Sequence, residues 1–151
     1  YKKNLLKDPS TADALLTKIN REKTMLEQYI NSGEFKANLA KYEQEVIDSR
    51  LLRQGMKDAS IEAVPKAKLP AKYGQLLRVT IASTGWGIKK NALGIPLRKV
   101  ITLHLATKRD GKCYLILATV GRTYEGGGKY GKMWLDNLYE KGEMNCANVN
   151  K

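Results

Sequence analysis

Histidine and phenylalanine occur once each in this 151-residue chain, cysteine twice and proline four times. A single histidine, His104, leaves any general-base role resting on that residue alone. One histidine with two cysteines gives no metal-ligand spacing. His104 also lies mid-strand, on the side opposite Ile101, Leu103 and Leu105, where a solvent-facing or packed ring is expected. No serine or cysteine stands beside a second base, so no catalytic set, metal site or cofactor is expected and the protein is read as non-enzymatic. No run of about 18 apolar residues occurs, so no helix is expected to span a membrane. The composition, 42% hydrophobic and 28% charged, lies near globular averages, which excludes wholesale disorder.

Acidic residues are scarce in one half only. Residues 1–66 carry 12 Lys/Arg against 10 Asp/Glu, a net +2, whereas residues 67–151 carry 15 against 5, a net +10. A positive field of that kind gathers anionic partners: nucleic acid, acidic envelope polymers, anionic lipid heads or an acidic protein face. It is also compatible with a charge that serves solubility alone.

The cysteines are Cys113, at the start of a strand, and Cys146, in a Gly- and Asn-rich tail with little else to hold it. A bridge would close a loop of about 33 residues and contribute about 3–4 kcal/mol in the loop-entropy picture. The alternative is two unrelated thiols in a reducing compartment. The bridge is the expectation, and with it an extracytoplasmic location, periplasm or cell envelope. The first residue is Tyr rather than Met, and YKKNLLK over residues 1–7 reads as a linker or anchor remnant.

A helical hairpin is expected over 8–60. Asp8-Pro9-Ser10 offers a start, and Leu15, Leu16, Ile19, Leu26, Tyr29 and Ile30 form an apolar stripe at helical spacing, interrupted by Glu22 and Lys23. Asn31-Ser32-Gly33 ends it, with Ser32 a possible cap for a second helix carrying Phe35, Leu39, Tyr42, Val46 and Ile47. The stripe trails through Leu51, Leu52 and Met56, and Arg50 and Arg53 interrupt it. Two helices joined by so tight a turn make an antiparallel αα-hairpin, expected to pack within its own domain. Pro65 and Pro70 predict a Pro/Lys linker over 61–74.

Strands follow over 75–151. Leu77, Val79 and Ile81 alternate with Arg78, Thr80 and Ala82, and Trp86 sits between glycines in a bend. Ile88-Lys89-Lys90 is a short strand or loop. The clearest signal is Val100–Glu125: alternating Ile101, Leu103 and Leu105, then Asp110-Gly111, a two-residue hairpin turn, then a second β-rich run from Cys113. Trp134 and Leu138, one helical turn apart, predict a short C-terminal helix over 133–139, or alternatively an edge strand. The order is that of one α+β domain with an antiparallel sheet.

Gly126 and Gly131-Lys132 nearly match a phosphate-binding loop, but Met133 stands where Ser or Thr is needed for a metal ion, and nucleotide hydrolysis is rejected. A charged, permissive loop remains. Tyr114, Tyr124, Tyr130, Trp134 and Tyr139 occur among Arg122, Lys129, Lys132 and Lys141, a composition compatible with RNA or single-strand binding, although no ribonucleoprotein, KH or zinc-knuckle signature is present.

The segment Asp110-Gly111-Lys112 with Tyr114, between two hydrophobic strands, resembles the late hairpin of small NTF2-like or cystatin-like domains. That resemblance covers about 30 residues and implies a helical layer wrapped by a curved antiparallel sheet. It implies no functional residues. The expected function is a non-enzymatic extracytoplasmic binding or assembly component, periplasmic or lipid-anchored, whose partner is a protein or an anionic envelope polymer; the alternative is a nucleic-acid-binding or ribosome-associated basic domain. Its working surface is expected at His104, Lys108, Arg109, Arg122, Lys129 and Lys132.

Overall fold

A computed structural model describes residues 9–151, with side chains from Ala12 onward. The expected remnant at 1–7, and Asp8 and Ser10 as a cap, lie outside these described positions. The chain divides into two compact units, residues 1–44 and 45–151.

The first unit is helical. Helix α1 (Pro9–Asn31) and helix α2 (Gly33–Ser49) are separated by Ser32, as expected of an N-terminal helical hairpin. The Ser32 hydroxyl accepts from the Phe35 N–H at 3.1 Å and so caps α2, and the Tyr29 and Phe35 rings meet edge to face at 5.5 Å across the break. The stripe expected to pack inside its own domain is exposed: Leu16 is 56% exposed, Leu26 58% and Tyr42 64%.

The second unit is an antiparallel sheet. Strands β1 (Gln75–Ile81), β2 (Gly87–Lys90), β3 (Pro96–Arg109), β4 (Lys112–Gly126) and β5 (Lys129–Met144) form an α+β fold in the order β1-β3-β4-β5. β1 and β2 share one side of the long β3, each pairing with a different stretch of it. The turn between β3 and β4 has positive φ at both Asp110 (51°) and Gly111 (77°), as its sequence predicts. That turn sets the register: Ile101, Leu103 and Leu105 face Val120, Ala118 and Ile116. All six side chains are buried, and with Val79 and Ile81 they form the front-face core.

Two expectations are corrected here. Residues 61–74, expected as a linker, contain helix α3 (Ala59–Lys68) and a short 3-10 turn, Ala71–Tyr73. Asp58 caps α3 by accepting from the Ser60 and Ile61 N–H groups at 2.9 and 3.3 Å. Pro65 costs the helix one hydrogen bond, but its ring is buried beside Ile61 under the front face, and that burial offsets the loss.

The second correction concerns residues 50–58, where the helix was expected to continue. α2 stops at Ser49, and the chain runs on as an extended strap across the back face. Leu52 is buried there with Ala106, Cys113, Leu115, Met144 and Val149. Gly55 donates to the Ile81 carbonyl at 2.7 Å, and a Cβ at Gly55 would collide with the Ser83 carbonyl. α3 and the strap cover the two faces of the sheet, so the sheet has its own cover on each side.

Of the two alternatives for residues 133–139, a short helix or an edge strand, the structure has the edge strand, within β5. Val120 faces Leu135 and Ala118 faces Leu138, so the one residue of β4 between these pairs, Thr119, opposes two of β5, Asp136 and Asn137. This bulge puts side chains three apart on one face, the spacing of a helix.

Cys113 and Cys146 form a disulfide, with 5.2 Å between their Cα atoms. The tail it holds grips the end of α2. Asn145 donates to the Asp48 carboxylate at 2.7 Å, and the buried Asn148 amide donates to the Asp48 and Arg50 carbonyls at 2.7 and 3.2 Å.

Candidate anion-binding surface

The six residues expected to form one surface separate into three places. His104 is on the back face under the strap, where its Nδ1 accepts from the Arg53 N–H at 2.9 Å. Burial foremost, and then the positive charge of Arg53, pushes its pKa below the usual histidine value. Lys108 and Arg109 lie at the Asp110–Gly111 turn. Arg122, Lys129 and Lys132 lie at the other end, and the 15 residues of β4 put the two ends roughly 45 Å apart.

At the turn end two cations, Arg109 and Lys112, are answered by carboxylates. Arg109 pairs with Glu140 through two contacts, at 3.2 and 3.3 Å, and lies over the Tyr114 ring at 4.4 Å. Lys112 pairs with Glu143 at 2.7 Å. These carboxylates, by hydrogen bonding first, hold both cations above their usual pKa.

The other end is built differently. The hairpin register places Lys99 directly opposite Arg122, in a row that runs Ile88, Lys99, Arg122, Met133 across four strands. Like charges so placed repel. The sheet answers with dipoles and rings instead of carboxylates. Arg122 donates to the Gly131 and Tyr130 carbonyls at 2.6 and 2.7 Å. The Lys99 ammonium sits 4.7 Å from the Trp86 ring centre and 4.6 Å from that of Tyr130, and Tyr124 packs edge-on against Tyr130 at 5.3 Å. Around this pair stand the exposed Lys89, Lys90, Lys129 and Lys132. The ion pair at this end among the described residues is Arg98–Asp136, at 2.8 Å.

The glycine stretch is the β4–β5 hairpin turn, with positive φ at Gly126, Gly127 and Gly128, and a strand rather than a helix follows it. Gly128 N–H donates to the Tyr124 hydroxyl at 3.1 Å, so the loop is tied to the aromatic cluster.

Family models, curated proteins and solved structures give no match to this chain.

Lys99, Trp86, Lys89 and Lys90 were not among the expected surface residues. The signal for Lys99 was present: counting outward from Asp110–Gly111 pairs it with Arg122. Trp86 gave no such signal, because the loop that carries it to Lys99 has no fixed register. Chemically, the arrangement offers N–H donors and positive charge. Among the described residues no three of His, Cys, Asp and Glu come together to hold a metal ion, and no helix is long and apolar enough to cross a membrane.

Proposed function

We propose that this protein is a non-enzymatic binding or assembly component that works outside the cytoplasm and takes up an anionic partner at the hairpin-tip end of its sheet. One observation carries the reading: Lys99 and Arg122 stand side by side on one face with no carboxylate between them. A folded domain accepts that repulsion readily where an incoming anion relieves it. The Cys113–Cys146 disulfide supports an oxidising compartment. The partner is an acidic protein face or an anionic envelope polymer. A nucleic acid fits less well, because Trp86 and Tyr130 present ring faces to Lys99 and Tyr124 is packed on Tyr130, which leaves those faces committed rather than open for base stacking.

The reading is tested by titrating the protein with soluble poly-L-glutamate and, separately, single-stranded poly(U), at increasing salt. Binding of poly-L-glutamate that weakens steeply with salt, and that Lys99→Glu with Lys132→Glu reduces on the order of tenfold or more, supports it. Tighter binding of poly(U) would favour the nucleic-acid reading. No binding of either at low salt would sink both.

A further inference from the structure

Beside the cation cluster, the β2–β3 hairpin exposes four large aliphatic side chains. Leu93 is 83% exposed, Ile88 53%, Ile95 52% and Leu97 51%. Single exposed leucines are ordinary, but four on one short hairpin form a patch. The tip that holds them out is a built turn. The Asn91 side-chain oxygen accepts from the Leu93 and Ile95 N–H groups at 3.0 and 2.9 Å. The backbone N–H groups of Asn91 and Gly94 donate to the Ile95 and Asn91 carbonyls, each at 3.0 Å. Gly94 supplies the positive φ of 77°.

The cations are interleaved with this apolar apex. Lys89 and Lys90 precede it, and Arg98 and Lys99 follow it. No Asp or Glu occurs from Ala63 to Arg109, so the chain supplies no counter-charge here from its own hairpin. The pairs Ile88–Lys99 and Lys89–Arg98 are successive in the register, so positive charge stands on both faces of the hairpin. The β4–β5 tip, with Lys129, lies at the same end of the sheet.

We propose that this end docks on the surface of an anionic lipid bilayer, with Leu93, Ile95 and Leu97 entering the boundary between headgroups and acyl chains. Lys89, Lys90 and Lys99 then lie at the level of the lipid phosphates. A hairpin tip with exposed aliphatic side chains at its turn and cations on both faces matches an anionic surface with an apolar layer beneath it. Apolar insertion and electrostatic attraction add, as in other interfacial anchors. This inference rests on the proposed anion-binding reading and goes beyond it, with an anionic lipid surface in place of a soluble acidic protein or polymer.

The test is co-sedimentation of the full chain with vesicles of phosphatidylcholine alone or mixed with phosphatidylglycerol. The wild type should partition onto the mixed vesicles and not onto phosphatidylcholine alone. Leu93→Asn with Ile95→Asn should lose on the order of tenfold or more of that partition. Because both side chains point into solvent, the melting temperature of this variant should match the wild type, and its affinity for poly-L-glutamate should be retained. Lys89→Gln with Lys90→Gln should weaken both kinds of binding. If the Leu93/Ile95 variant binds mixed vesicles as well as the wild type does, the insertion is refuted while the anion-binding reading stands. Failure of the wild type to bind mixed vesicles while binding poly-L-glutamate would also overturn it and point to a soluble partner.

Discussion

Arg109 and Lys112 at one end of the sheet each meet a carboxylate from β5, whereas Lys99 and Arg122 at the other end meet each other. Both ends belong to the same pair of strands and carry the same kind of side chain. At the turn end, Glu140 and Glu143 make the charge part of the architecture, and the disulfide and the 145–149 tail lock the same region. At the tip end Lys99 and Arg122 are held by ring faces and carbonyls, while Asp136 pairs with Arg98. A net charge of +12 therefore does not describe a uniformly basic surface. It describes one end where Arg109 and Lys112 meet carboxylates and one where Lys99 and Arg122 meet each other.

Variants can break this contrast from the turn end downward. Replacing both Cys113 and Cys146 by serine should lower unfolding stability the most, by about 3–4 kcal/mol in chemical denaturation. Equal stability of the two forms would show that the tail needs no staple. Asn148→Ala should cost about 1–3 kcal/mol, because the part-buried Asp48 and Arg50 carbonyls lose the donor that the buried Asn148 amide supplies. Hydrogen exchange should then quicken over residues 47–53 before it does in β3 and β4.

His104 sharpens the contrast through pH. Its folded pKa lies below the unfolded value of 6.5, so the unfolded chain takes up the proton more readily. The stability it contributes is complete above pH 6.5 and is lost as pH falls from there through the folded pKa. Thermal melts across that range should show the decline, and His104→Gln should flatten it. The smallest effect is expected for Glu140→Gln, whose partner Arg109 is solvent-screened: a slight shift of the melting midpoint, diminishing with added salt.

Much of the second unit was legible because a two-residue turn propagates its register. Asp110–Gly111 aligns Ile101, Leu103 and Leu105 with their partners and, further out, Lys99 with Arg122. The Cys113–Cys146 bridge followed from a strand start and an otherwise unheld tail. Where reading failed, a local rule met a tertiary override. Pro65 signals the end of a helix, yet burial of its own ring under the sheet keeps α3 intact. Trp134 and Leu138 left helix and edge strand both open, because a spacing of four is one helical turn and also an even number of strand residues. The Trp86 contact with Lys99 depends on loop closure, which neither periodicity nor turn chemistry encodes.

The contrast between the two ends is tested most directly by measuring poly-L-glutamate affinity at low salt for charge reversals at each end. Lys99→Glu with Lys132→Glu at the tips should reduce affinity on the order of tenfold or more, whereas Arg109→Glu with Lys112→Glu beside the turn should leave it close to wild type. Equal losses at both ends would contradict the account and reduce the +10 half to a diffuse charge.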